Sequence, residues 1–239
     1  VLDPIELSTR LAGVRERIAR AARRAQRDPD SIRLVAVSKT FPAADVRAAA
    51  ALGQVDFGEN RVQEALPKME QTADLPLRWH LVGHLQSNKV RKAVNGFSVI
   101  HSIDSASLIA RVEQAAQETG RQIEFLVQVD LAGEATKHGI PPEQILSVIE
   151  PALRCRAARL TGLMLLPPAV DDPEAVRPHF VALRLLRDKL VSSGVPPTRL
   201  AQLSMGMSHD FEVAVEEGAT LLRIGTAIFA ERPGALPPL

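Results

Sequence analysis

The stretch LAQLSMGMSHDFEVAVEEGATLLRIGTAIF, Leu200 to Phe229, carries the reading of the fold. Leu200–Leu203 and Leu221–Ile224 are short apolar runs of strand length, with a helical stretch at His209–Glu217 between them. Each run empties into a segment rich in small residues and hydroxyls: SMGMS from Ser204 to Ser208, and RIGTAIF from Arg223 to Phe229. Backbone N–H groups at such a turn suit a phosphate dianion, because glycine allows close approach and Ser or Thr can donate. Barrels of eight βα units commonly carry a phosphate site in the loops after strands 7 and 8. The plainer alternative makes Gly206 and Gly225 tight-turn residues and Ser204, Ser208 and Thr226 helix caps. Two such loops on successive strands favour the phosphate.

Working outward, six further runs read as strands: Ile32–Val37, Val55–Phe57, Arg78–Val82, Phe97–His101, Ile123–Val129 and Leu160–Leu166. Helical stretches lie between them, among them Ala43–Leu52, Ser105–Thr119, Pro142–Leu153 and Pro173–Ser193. In front stands an amphipathic stretch, Pro4–Arg27, with Ile5, Leu7, Leu11, Val14 and Ile18 at near-helical spacing and Asp28-Pro29 as its stop. Eight βα units in 239 residues predict an α/β fold made of one TIM-type (β/α)8 barrel, for which about 250 residues is typical. An open doubly wound sheet would usually show GxGxxG after its first strand, and none is present. Residues 1–239 are therefore expected to form one domain, with an extra N-terminal helix in residues 1–30 and a frayed tail from Pro233 to Leu239.

Composition removes several classes of function. With 29 basic against 28 acidic residues there is no long-range field to draw in nucleic acid or anionic lipid. No apolar run approaches the roughly 20 residues of a membrane span. One cysteine, Cys155, allows no internal disulfide, and with no signal-like segment a reducing cytosol is the expected compartment.

Active sites of such barrels lie at the C-terminal ends of the strands. Of six lysines, Lys39 alone directly follows a barrel strand. Lys68, Lys89, Lys92 and Lys189 fall in helical stretches and read as solvated, and Lys137 could add charge to the barrel mouth or lie on the surface. A buried lysine flanked by cations can lose its charge and attack an aldehyde; a strand-end ammonium in water is the alternative. Arg223 lies two residues before Gly225, so strand alternation puts both on the inward face. It can meet the ring nitrogen of pyridoxal phosphate, or close an internal ion pair with Glu59 or Asp130.

At these residues the chain resembles the pyridoxal phosphate homeostasis protein family, single-domain relatives of the barrel half of bacterial alanine racemase. The resemblance runs from about Leu34 to Glu231 through VAVSKTFP around Lys39, FGENRVQE (57–64), RWHLVGHLQSNKV (78–90), HSIDS (101–105), GLMLLPP (162–168), SMGMSHDFEVAV (204–215) and LRIGTAIF (222–229). It implies that Lys39 carries pyridoxal 5′-phosphate as a Schiff base, that Arg223 faces the pyridine nitrogen, and that Ser204, Gly225 and Thr226 hold the phosphate. Asn60 and the backbone near Met205 and Gly206 are implied to line the pocket. Arg61 stands where such proteins often have tyrosine, and Asp130 where they often have asparagine; these departures bear on ring packing and pocket charge.

The related racemases use a tyrosine as second base and a further β-rich domain. This chain has no tyrosine and ends about ten residues after the eighth strand's loop, so the expectation is a cofactor carrier with no catalytic residues, with a weak racemase or lyase as the contrasting reading. Its expected partners are pyridoxal phosphate and apo-enzymes that need it, and its expected state is monomeric. His80 and His84 are four apart, but across a strand and loop this is no metal signature, so no metal is expected. His80 reads either as a pocket neighbour of the cofactor or as a satisfied core histidine. Cys155 lies among Arg154, Arg156 and Arg159, which could lower its pKa, yet no redox role follows. The arginines of the first helix share it with Glu6 and Glu16 and read as a solvated face.

Overall fold

The computed structural model describes residues 2–133 and 138–230. Lys137 and the tail from Pro233 lie outside the described residues. The chain opens with α1 (Pro4–Arg24) and continues as β1 (Arg33–Val37), α2 (Ala43–Ala51), β2 (Asp56–Glu59), α3 (Val62–Gln71), β3 (Arg78–Leu81), α4 (Val90–Gly96) and β4 (Val99–Ile103). The second half runs α5 (Ala106–Thr119), β5 (Ile123–Val129), α6 (Leu146–Arg154), β6 (Ala158–Leu165), α7 (Arg177–Ser192), β7 (Gln202–Ser204), α8 (Phe211–Glu216), β8 (Leu221–Ile224) and α9 (Thr226–Phe229). The strands are parallel and close in sequence order into the expected barrel, β8 pairing back onto β1. No helix among the described residues is long and apolar enough to cross a membrane.

The strand sequences explain the two layers. Outward residues such as Ala36, Phe57, Trp79, Phe125 and Leu163 join the large core between barrel and helices. The apolar interior of the barrel is small: Val35, Val99, Leu126, Met164 and Leu221 form their own cluster. Period-2 alternation separates the two sets, and the remaining inward positions include Val37 and Val82 beside glycine and polar residues.

Boundaries differ from expectation where local chemistry intervenes. Phe97 caps α4, and β4 starts two residues later, at Val99. The seventh strand begins at Gln202, since a short 3-10 turn (Pro197–Arg199) ends on Leu200. The first helix stops at Arg24, because Gln26 adopts φ 55° and Arg27 donates to the Val215 carbonyl at 2.5 Å.

Asp3 caps α1 by accepting from Ile5 N–H at 2.7 Å, with Pro4 in the first turn. The helix buries Leu7, Leu11, Val14 and Ile18. Its basic face is more engaged than a solvated one: Arg17 pairs with Glu212 and lies over the Phe211 ring, and Arg24 pairs with Glu216, all on α8. The helix thus braces the segment between the two phosphate-type turns. Leu11→Ala removes a fully buried side chain and is expected to cost about 2–5 kcal/mol in urea unfolding. Ile5→Ala, at a 78% exposed position, should stay within about 0.5 kcal/mol of the parent.

Candidate functional site

Val35 sits in the barrel interior, so Val37 and Lys39, at successive steps of two, continue its face toward the C-terminal mouth. The strand ends at Val37, Thr40 turns with φ 67°, and Lys39 stands exposed on the rim. The expected buried lysine is thereby corrected: no wall of side chains covers position 39, because the chain leaves the sheet one residue before it. The next strand around the ring is β8, with Val35 opposite Arg223 and Ala36 opposite Ile224. A Cβ on Gly225 would lie 3.2 Å from the Val37 carbonyl oxygen, so only a small residue lets the turn after β8 approach the base of Lys39 this closely. Phe41 packs on Phe229 with ring centroids 5.1 Å apart and ties the two rim loops together.

The turn after β7 supplies the facing part. Gly206 has φ +91°, and a Cβ there would meet that of Ala214 at 2.6 Å, so glycine is required on both counts. Met205 is fully buried and its N–H joins the Leu221 carbonyl, while the Gly206 carbonyl accepts from Arg223 N–H. Ser208 Oγ accepts from Gly225 N–H at 3.3 Å and from Ala227 N–H at 3.2 Å. Two main-chain donors converge on one hydroxyl through long bonds, an arrangement that an anionic oxygen with more acceptor capacity satisfies better. Thr226 is exposed beside them. Ser208 was legible in SMGMS as part of a phosphate-type turn or as a cap, whereas Ser204, expected at the phosphate, is fully buried lower in the barrel, where its Oγ accepts from Arg223 Nη1 at 2.6 Å and lies 2.8 Å from His101 Nδ1. As the last residue of β7 it keeps the strand's inward direction; the chain must leave the sheet before a hydroxyl can reach the rim.

Arg223 is 4% exposed and donates through Nη1 to Ser204 and through Nη2 to the Leu165 carbonyl at 2.8 Å. Burial lowers its pKa to about 10, below the value above 12 usual for arginine, although Asp210 opposes the shift. It remains a cation at neutral pH. Neither suspected ion-pair partner reaches it: Asp130 accepts from Ala132 and Gly133 N–H in its own loop, and Glu59 faces the other way.

Glu59 reveals a role for Lys68 that helix position concealed. Lys68 is half-buried, and Nζ donates to Glu59 Oε1 and to the Ser38 carbonyl, both at 2.6 Å, while Ser38 Oγ donates to the same carboxylate oxygen at 2.7 Å. The expected solvated lysine is thus a clamp on the peptide preceding Lys39, because α3 lays it across the ends of β1 and β2. Asn60, next in sequence, lies against Gly83, where a Cβ would meet the Asn60 carbonyl at 2.2 Å. Arg61 points outward and pairs with Glu64.

His80 is corrected from pocket neighbour to core residue. It is 1% exposed, bonded to Asp56 and His101, and lines a cavity of about 230 Å³ at the opposite, N-terminal mouth. His84 stacks on His138 at 3.7 Å and 12°, with Asp104 3.7 Å away. Burial and the neighbouring His138 lower the His84 pKa. Burial and Glu113 raise the Cys155 pKa to about 11, opposite to the direction its arginine neighbours suggested.

The sequence profile of the family described as alanine racemase, N-terminal domain, matches residues 10–233. The chain is similar to the pyridoxal phosphate homeostasis protein of Aquifex aeolicus (strain VF5), 44% identical over 223 residues that cover 93% of this chain and 97% of that one. Among solved structures it is similar to PipY of Synechococcus elongatus PCC7942 with PLP bound, at a TM-score of 0.82 and 41% identity, covering 93% of this chain and 99% of that one. An alanine racemase of Clostridium difficile 630 shares the fold at 14% identity, with a TM-score of 0.73 over 96% of this chain and 57% of the other.

Lys68→Met leaves the Glu59 carboxylate buried without its cation and is expected to cost about 3–5 kcal/mol in denaturant unfolding. The double variant Glu59→Gln/Lys68→Met removes the orphaned charge and should recover most of that loss.

Proposed function

This chain belongs to the alanine racemase N-terminal domain family and, within it, to the pyridoxal phosphate homeostasis proteins, and on that premise we propose that it binds pyridoxal 5′-phosphate as a Schiff base on Lys39 and carries or buffers the cofactor without strong turnover. The observation that carries the reading is the closure of β1 on β8, which sets Lys39 beside the Gly225 turn with Arg223 one inward position below. When bound, the cofactor supplies an aldehyde that condenses with a primary amine. Lys39 supplies the amine. The N–H groups of Gly225 and Ala227, with Ser208 and Thr226, hold the phosphate, and Asn60, Met205 and Gly206 border the ring.

Arg223 fixes the chemical character of the site. A cation buried against the ring nitrogen opposes protonation there and weakens the ring as an electron sink, which disfavours amino-acid chemistry. With no tyrosine in the chain, the second base of the racemase route has no counterpart. Lys39 and Thr226, both exposed, leave the attachment open to water and to competing amines, and an open attachment suits exchange with apo-enzymes. The near-balanced charge gives no field to recruit nucleic acid or membrane, and we infer a cytosolic, single-domain monomer.

Loaded protein treated with borohydride should retain the cofactor on the peptide containing Lys39, and Lys39→Ala should lose the reducible visible band while keeping its fold, since the side chain is exposed. Turnover with a panel of amino acids is expected to stay below about 1 s⁻¹; a faster rate, within the usual enzyme range, establishes the weak-enzyme reading instead.

A further inference from the structure

The barrel interior holds one continuous polar path from the N-terminal mouth to the buried Arg223. Asp56 opens β2 at the N-terminal end, and its Oδ1 lies 2.8 Å from His80 Nε2 on β3. His80 Nδ1 is 2.9 Å from His101 Nε2 on β4, and His101 Nδ1 is 2.8 Å from Ser204 Oγ on β7. Ser204 Oγ accepts from Arg223 Nη1 at 2.6 Å on β8. His80, His101, Ser204 and Arg223 are each at most 4% exposed.

Given two neutral imidazoles, chemistry at the two ends orients every bond between them. A guanidinium only donates and a carboxylate only accepts. His80 therefore gives Nε2–H to Asp56, and its free Nδ1 accepts Nε2–H from His101. His101 Nδ1 in turn accepts from Ser204, and Ser204 accepts from Arg223. All four bonds then donate in one direction. Burial, with His80 and Arg223 adding to it, holds the His101 pKa well below its ordinary value. A cationic His80 would reverse both bonds of His101 and set two buried cations against one carboxylate.

The path also answers a question of charge. Among the described residues no carboxylate makes an ion pair with Arg223, yet a buried cation requires compensation. Asp210 attracts it electrostatically but spends Oδ1 on Met207 N–H. At the far end Asp56 is 3.7 Å from Arg33, and Arg78 and Arg159 both pair with Glu124 at the same mouth.

We propose that Asp56, His80, His101 and Ser204 are positioning residues for Arg223: a one-way hydrogen-bonded relay fixes its guanidinium and brings it the counter-charge of a carboxylate at the opposite end of the barrel. The consequence for the cofactor rests on the function proposed above, whereas the relay itself does not. Aligned bonds polarise one another, so residues that never touch the cofactor would set the cation that meets its ring nitrogen.

Two measurements test this. In the protein without added cofactor, nitrogen NMR at pH 7 should show His80 and His101 both neutral with the hydrogen on Nε2; a hydrogen on His101 Nδ1, or a charged ring, overturns the relay. In protein loaded with pyridoxal phosphate, the pH midpoint of the visible band should fall by about half a unit in Asp56→Asn, as one compensating charge is lost at long range. Ser204→Ala should shift it the same way, the double variant no further than the larger single shift. Glu124→Gln, a carboxylate of the same mouth outside the relay, should leave the midpoint in place. Equal shifts for Asp56→Asn and Glu124→Gln, or additive shifts in the double variant, reduce the effect to a general field and overturn the proposal. If no visible band forms, the cofactor reading fails and the NMR result alone decides the relay.

Discussion

The hydrogen bonding of β1 to β8 is the constraint on which the rest of this molecule depends. Four consecutive residue pairs, Arg33 with Leu221 through Ala36 with Ile224, join the first strand of the barrel to the last. That register sets the amine of Lys39 and the N–H groups of the Gly225 turn on adjacent strands of one rim, although 186 positions of sequence number separate residues 39 and 225. It also places Arg223 opposite Val35, two inward steps below Lys39. A shift of one residue in β1 would turn the face that leads to Lys39 out of the barrel while Arg223 stayed inside, and so part the two.

Closing the ring creates a second problem, charge inside a small cylinder. Five apolar side chains form a cluster in part of the interior, and His80, His101, Ser204 and Arg223 are buried at other inward positions. Such groups are tolerable only when each is hydrogen-bonded, and here every one of them is. Outside the ring, Lys68 and Glu59 solve a similar problem at the peptide before Lys39. The rim is therefore held by two polar systems, one on each face of the sheet, while Lys39 itself stays uncovered.

The sequence disclosed the fold through simple regularities. Short β-branched or leucine-rich runs marked all eight strands, and period-2 alternation put Arg223 and Gly225 on one face. Boundaries slipped where a turn or cap competed: Phe97 belongs to the end of α4, and Gln26 ends α1 early. Partner identity was less legible, because it depends on which strands are neighbours. Lys68 looked solvated until α3 laid it across Ser38 and Glu59, and Ser204 looked like a phosphate ligand until its strand carried the hydroxyl to His101. The same alternation applied to Asp56, His80 and His101 would have put all three inside the barrel; what it does not give is the order in which they touch.

The central claim is that a single cofactor joins Lys39 and the Gly225 turn at the C-terminal mouth. A crystal structure of the protein grown with pyridoxal 5′-phosphate tests it most directly. The account predicts continuous density from Lys39 Nζ to the ring, with the phosphate on the Gly225 and Ala227 N–H groups and Arg223 at the ring nitrogen. Density joined to another lysine, or a phosphate seated among the arginines of the N-terminal mouth, would contradict it.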